Sequence, residues 1–355
     1  MKRFLILEDG TVFSGEAFGA DGEVIAEIVF NTSMTGCIEM LTDQSYFGQG
    51  IVQTFPLAGN YGIISEDAEG ERTGASAFIV REYCETPSNF RCEETIDHYL
   101  KRNNIVGIYG IDTRALTQIL RTRGTMNGML ADHPANADLE RIRKYKIERA
   151  VESVSTQSVR QFPAENGQYN VVMLDFGVKS NIIRALHARN CNVTMVPWNT
   201  SKADILALKP DGIFLTNGPG DPQDNPQVIE TLRSLIPEKI PTMGICLGHQ
   251  LLALANGFTT EKLKFGHRGA NHPVLSAKTG KTYISSQNHG YAVVGSSVNP
   301  EVAQELFVHL NDGTNEGLLY KNAPAFSVQF HPEACGGPQD TNELFDMFIG
   351  SMKKD

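Results

Sequence analysis

The sequence predicts an α/β protein in two parts: a C-terminal doubly wound, mostly parallel sheet with a nucleophile elbow, and before it a strand-rich mixed α/β domain. Three observations carry that expectation. From residue 168 onward, short apolar runs alternate in the order strand, helix, strand, a rhythm that builds parallel strands joined by right-handed helical crossovers. Before about residue 150 the apolar runs are extended and broken by turns, without that alternation. At 355 residues the chain exceeds a typical single core, which makes two domains the natural division.

In chain order, RFLILEDGTVF places Asp9-Gly10 between two apolar runs and reads as a hairpin. The extended runs EVIAEIVF, GIVQTF and ASAFIV follow. Helical spacing appears in TIDHYLKRNN and in DTRALTQILRTRG, the second with Asp112 or Thr113 as N-cap and Gly124 as its stop. These elements make a first domain over residues 1–150. Residues 151–167 are polar, with few large apolar side chains after Val154 and Pro163 near the end, and read as a linker. The second domain, 168–355, runs through NVVMLDF, SNIIRALHARN, NVTMVPW, KADILALK, GIFLTN, PQVIETLRSLI and IPTMGIC as alternating strands and helices.

A hydrophobic content of 41% with 20% charged residues excludes a disordered or fibrous chain. A formal net charge of -10, with no long Lys/Arg run, repels phosphate backbones and anionic lipid, so neither nucleic acid nor a membrane is expected as partner. The first apolar run ends at Glu8, too short for a signal-peptide core, and no later run approaches a membrane span; a cytoplasmic location is expected. Six cysteines without a C-x-x-C pair suit neither a disulfide framework nor a structural zinc site, and are expected as free thiols.

The chemistry centres on IPTMGICLGHQLLALANG, where Cys246 stands between an apolar strand and a helix-like run, flanked by Gly244 and Gly248. A strand-to-helix elbow needs small residues two positions either side of its nucleophile, and the helix N-terminus favours thiolate over thiol. A buried strand-end cysteine beside turn glycines fits the same letters. A nucleophile requires a base. In AFSVQFHPEA, Pro332 keeps His331 extended, which puts His331 and Glu333 on a common side so that the carboxylate can hold one imidazole nitrogen. In isolation, a surface turn explains His-Pro-Glu equally well. The third element, GIFLTNGPGDP, ends a strand in a loop whose Gly218 and Gly220 allow main-chain N–H groups close approach, as an oxyanion site needs; Leu247 would add a donor at the helix start. A tight turn is the plain alternative, and the loop lacks both the dinucleotide fingerprint and the phosphate-loop Lys-Ser/Thr.

Among the other histidines, His267, His272 and His289 form no closely spaced ligand set, so solvated or loop-stabilising roles and no metal are expected; His249 is expected to point along the helix surface. LDFG at Leu174 to Gly177 shares three letters with a kinase signature and none of its other parts.

With these residues in place, the chain resembles the class I, triad-type glutamine amidotransferases: GICLGHQ, TNGPGDP, SQNHGYAV and FHPEA occur in that family's order over roughly the second half. The first half resembles the leading domain of carbamoyl phosphate synthetase small subunits through LEDGTVFSGEAFG, FNTSMTGCIEMLTDQSYFGQ and GIDTRALT, and FGHRGANHPV extends the likeness over nearly the full chain. The resemblance implies Cys246 as nucleophile, His331 as base and Glu333 as its orienting partner, with Leu247 and the Gly218 to Gly220 loop on the oxyanion. It also implies that Gln250, Asn288, Gly290 and Tyr291 hold the amino-acid end of glutamine, with Ser45 reaching in from the first domain. The implied activity is glutamine hydrolysis through a cysteinyl thioester, delivering ammonia to a synthetase large subunit that makes carbamoyl phosphate from bicarbonate and ATP for arginine and pyrimidine biosynthesis. No ATP-binding apparatus is read in this chain, so no cofactor is expected in it, and ATP and Mg are expected on the large subunit. The chain departs from the family pattern at Tyr291, often phenylalanine, at Cys335, commonly serine, and at Cys37, where an aromatic is frequent. A sister amidotransferase would need a different first half, a cysteine peptidase an open groove, and a non-enzymatic regulatory subunit would usually lack the cysteine or histidine.

Overall fold

In the computed structural model, residues 1–334 and 336–353 are described. They fall into two compact units, Met1–Glu148 and Arg149–Asp355.

The first unit is built on a closed seven-stranded barrel. Its neighbours, in order, are Lys2–Leu7, Val12–Gly19, Val106–Tyr109, Ala77–Ile79, Gln49–Gln53, Val24–Asn31 and Met126–Ala131, which pairs back to Lys2–Leu7. The Asp9-Gly10 hairpin forms as expected, with Ile6 opposite Val12 and the Asp9 carboxylate accepting the Thr11 N–H at 2.8 Å. Asp112, rather than Thr113, caps the helix Thr113–Arg123 by accepting the Ala115 N–H at 2.9 Å, and Gly124 ends that helix. Phe18, Ile51, Phe78 and Leu100 pack in the apolar core of this unit. Arg3, 1% exposed, pairs with Asp132 at 3.1 Å and donates to the Ala20 and Gly107 carbonyls, which offsets the cost of burying its charge.

The second unit carries a ten-stranded sheet. Its centre is parallel, in the order Cys191–Pro197, Tyr169–Asp175, Gly212–Leu215, Thr242–Ile245 and Ala325–Val328. Along Tyr169–Asp175, Val172 and Leu174 enter one core with Val228, Leu232 and Leu251, while Val171 and Met173 enter another with Ile182, Leu186, Phe345 and Phe348. Both faces are thus covered by helices, and these central strands read as continuous apolar runs for that reason. Beyond Ala325–Val328 the sheet continues antiparallel through Asn315–Tyr320, Ala303–His309 and the long hairpin Thr260–Ser276 with Thr282–Val293, an extension that the strand, helix rhythm did not announce.

The stretch 151–167, read as a linker, holds the end of a helix, Ala150–Val154, and a strand, Arg160–Phe162, paired antiparallel with Cys191–Pro197. Val151 lies in one core of this unit and Phe162 packs against the other, so two apolar residues suffice to anchor a polar segment. No helix of the described residues is long and apolar enough to cross a membrane. Cys37, Cys84, Cys92, Cys191 and Cys246 are free thiols; Cys335, noted for its departure from the family pattern, lies outside the described residues.

Candidate active site

The strand Thr242–Ile245 turns into the helix Leu247–Ala255 at Cys246, whose φ of 53° and ψ of -104° place a non-glycine residue in a strained backbone region. The flanking glycines are sterically required. A Cβ on Gly244 would lie 2.8 Å from the Gly248 carbonyl oxygen, and one on Gly248 would lie 2.4 Å from the Leu215 oxygen. The bend is held by the Cys246 N–H on the Val328 carbonyl at 2.9 Å and the Gly248 N–H on the Thr216 carbonyl at 3.0 Å. With Gly248 engaged, Leu247 holds the next N–H at the helix start, and no acceptor for it is found among the described residues. The Cys246 thiol is buried and lies 3.6 Å from the Asn288 carbonyl oxygen.

His331 follows the end of the adjacent strand Ala325–Val328, and its Nδ1 meets Glu333 Oε1 at 2.6 Å. Both residues are almost wholly buried. Burial and the Lys179 ammonium push the imidazole down, the Glu333 carboxylate and the Cys246 side chain pull it up, and the balance raises it to about 9. Glu333 is lowered: burial opposes its charge, but His331 and Lys179 outweigh burial. His331 Nε2 is left without a well-aligned hydrogen bond, although Cys246 acts on the ring as a hydrogen-bonding neighbour. A thiol–imidazole pair at rest often tightens only with substrate bound.

The loop after Gly212–Leu215 is pinned to the loop after Tyr169–Asp175. Thr216 Oγ1 accepts the Phe176 N–H at 2.8 Å, and Asn217 donates to the Gly177 carbonyl at 2.9 Å. Gly218 is again forced by contact, since a Cβ there would sit 2.2 Å from the Phe176 oxygen. Asp175 of the LDFG stretch serves this turn, accepting from the Gly177 and Val178 N–H groups at 2.9 Å. These loops lie at the carboxyl ends of parallel strands, where open α/β sheets bind ligands.

Lys179 is a site residue that sequence reasoning missed. It immediately precedes the helix Ser180–His187 without a side-chain capping bond, is 9% exposed, and holds Nζ 3.4 Å from His331 Nδ1 and 3.7 Å from Glu333 Oε1. A cation at a helix N-terminus opposes the macrodipole, and that mismatch in DFGVKSN was the available signal. From the same helix, Asn181 donates to the Glu333 carbonyl at 2.8 Å.

Of the residues assigned to glutamine, Gln250 and Tyr291 meet: Gln250 Nε2 donates to the Tyr291 carbonyl at 2.8 Å and to Gln329 Oε1 at 2.9 Å. Asn288, Gly290 and Tyr291 share the strand Thr282–Val293, with Asn288 beside the Cys246 thiol. Ser45 belongs to the first unit, buried on the short turn Gln44–Tyr46, its N–H on the Asp43 carboxylate at 2.9 Å.

Two expectations about histidines are corrected. His249 does not run along the helix surface: it is fully buried, bonds Ser327 Oγ through Nδ1 at 2.8 Å, and is pushed down to about 3 by burial. His267 and His289 are not solvated. They pair directly across the long hairpin, are buried, and stand close to His272, His309 and Glu316. Cross-strand pairing brings together residues that sequence spacing keeps apart.

Comparison with known proteins agrees with this geometry. The family description "Glutamine amidotransferase class-I" matches residues 172–351, and "Carbamoyl-phosphate synthase small chain, CPSase domain" matches residues 5–130. A carbamoyl phosphate synthase small chain of Oceanobacillus iheyensis is 52% identical, covering 99% of this chain and 96% of the relative. A Listeria monocytogenes carbamoyl phosphate synthase small chain is 49% identical over 99% of this chain and 97% of its own length. The carbamoyl phosphate synthase pyrimidine-specific small chain of Bacillus subtilis is 49% identical over 98% and 95%. The chain therefore belongs to the carbamoyl-phosphate synthase small chain family, with a class-I glutamine amidotransferase domain in its second half.

Proposed function

We propose that this chain hydrolyses glutamine and passes the ammonia to a carbamoyl phosphate synthase large subunit. The observation that carries the reading is the strained elbow at Cys246 in the same buried site as the His331–Glu333 pair. Cys246 thiolate attacks the side-chain amide carbon of glutamine, and the oxyanion is held by Leu247 N–H with the Gly218 to Gly220 loop. His331 then gives its proton to the departing ammonia, leaving a γ-glutamyl thioester. Next His331 takes a proton from water, which attacks the thioester, and glutamate leaves as the sulfur is restored.

Gln250 has both amide hydrogens committed to protein acceptors, so its Oε1 is the atom free to accept from the substrate ammonium, with Asn288, Gly290 and Tyr291 around it. Ammonia meets bicarbonate and ATP on the large subunit, which carries the nucleotide and Mg, and the small and large chains form a heterodimer in the cytoplasm. The name of the Bacillus subtilis relative supports pyrimidine synthesis as one use of the product; arginine synthesis is the other.

The test is treatment of the chain with a chloroketone analogue of glutamine, followed by peptide mass spectrometry. An adduct confined to the peptide bearing Cys246, and prevented by glutamine, is expected. Labelling elsewhere, or indifference to glutamine, would remove the assignment.

A further inference from the structure

Outside the residues of the triad, His267, His289 and Glu316 each offer one ligand-type atom within 4.8 Å of the other two. The His267 ring meets Asp312 Oδ2 through Nε2 at 2.7 Å, and the His289 ring meets the Tyr291 carbonyl through Nδ1 at 2.7 Å. A proton on each of those nitrogens satisfies both bonds, and in a metal-bound form the lone pairs of His267 Nδ1 and His289 Nε2 are the ones left to bind the ion. These stand 3.4 Å and 3.9 Å from Glu316 Oε1. Gln287 Oε1 accepts from His289 Nε2 at 2.8 Å, and an ion that displaces that proton would find this oxygen beside it. Glu316 is 0% exposed, and neither its carboxylate oxygens nor His267 Nδ1 has a hydrogen-bond partner of sound geometry.

A buried carboxylate facing lone pairs is repulsive until a proton or a metal cation stands among them. We propose that His267, His289 and Glu316 bind one divalent transition ion of the zinc class, with Gln287 or water as the fourth ligand. Two imidazoles and a carboxylate are a donor set such ions accept. Bonds of about 2.0–2.1 Å put tetrahedral ligands about 3.3 Å apart. The 3.4 Å separation already matches, and the 3.9 Å one closes with a shift of about half an ångström. Both imidazoles also carry the outer bond that metal-binding histidines use, one to a carboxylate and one to a main-chain carbonyl.

The His267 ring also stacks on His309 at 4.2 Å, and His272, half-buried, makes with these two a second trio of ligand-type atoms. An ion at the inner site would tie the long hairpin to the strand Asn315–Tyr320. His289 sits between Asn288 and Gly290, so the same ion would stiffen the segment assigned to glutamine; that consequence rests on the proposed function, whereas metal binding itself does not.

The experiment uses the full chain, stripped with chelator and titrated with Co(II) while the visible absorption is followed. One equivalent with the bands of a four- or five-coordinate nitrogen–oxygen site is expected, displaced by Zn(II), together with a higher melting temperature when zinc is bound. Losing an outer partner of a metal-binding histidine costs roughly 10–100-fold in affinity, so Asp312→Asn should weaken binding in that range and Glu316→Gln by at least about a hundredfold. Glu316→Gln removes a buried charge and keeps its volume; should it fail to fold, Asp312→Asn carries the comparison. Absence of cobalt uptake by the unaltered chain overturns the proposal, as does equal binding by both variants and the parent.

Discussion

Lys179 Nζ stands 3.4 Å from Nδ1 of His331, the ring nitrogen that also meets Glu333 Oε1 at 2.6 Å. One ammonium thus acts on both members of the pair, lowering each. Lys179→Met should let both rise, so the limb of the kcat/KM profile tied to His331 moves to higher pH by roughly one unit, the low end for a neighbouring charge. Glutamate release measured from pH 6 to 10 checks this. An unshifted profile would show that Lys179 serves only to pack the loop.

Glu333→Gln keeps the shape and removes the charge that raises His331, so burial and Lys179 should then pull the imidazole down. Loss of an orienting carboxylate costs up to about ten-thousandfold in kcat in comparable triads. The stability effect has a defined sign. Because His331 is raised from 6.5 to about 9, its stabilisation is full below 6.5 and is lost as pH climbs through about 9. Because Glu333 is lowered from 4.5, its share is present above 4.5 and disappears as pH falls through the lowered value. Urea unfolding at pH 6.5 and 9.5 should show an alkaline weakening in the parent that shrinks in the variant.

Gly218→Ala forces a Cβ to 2.2 Å from the Phe176 carbonyl, and the loop must give way. The expected result is a cost of about 1–3 kcal/mol in stability, with a fall of about a hundredfold or more in kcat from a displaced oxyanion donor. Alkylation of Cys246 should persist, since the thiol is untouched. Calorimetry and steady-state kinetics on one preparation separate these effects, and normal kcat would sink the role given to the loop.

Cys246→Ser should abolish glutamate release by at least about a thousandfold, with the unfolding midpoint close to that of the parent. The synthetase complex supplied with free ammonia should still make carbamoyl phosphate. Residual glutamine hydrolysis near the parental rate would mean that another group is the nucleophile.

The elbow was legible because its requirement is local: glycine, any residue, cysteine, any residue, glycine at a strand-to-helix junction suits a nucleophile bend, and a downstream His-Pro-Glu tipped the reading away from a plain buried cysteine. His331 and Glu333 were legible for the same reason, two residues apart on one extended segment. Lys179 was not, because its meaning depends on a residue 152 positions away in sequence. His267, His289 and Glu316 were hidden by pairing across strands, where register rather than spacing decides who meets. The extended runs of the first unit announced strands, but closure of the sheet depends on Met126–Ala131 finding Lys2–Leu7, and no single run carries that information. Residues 151–167 misled through composition, since Val151 and Phe162 anchor a stretch that otherwise reads as solvent-facing.

A sheet that returns upon itself has no unpaired rim. The strands around Lys2–Leu7 and Met126–Ala131 spend their main-chain donors and acceptors on each other. Another protein therefore cannot lengthen this barrel by adding a strand, and would have to recognise side chains and connecting loops instead. The same sealing denies wandering chains a template along the barrel, which guards it against edge-to-edge clumping.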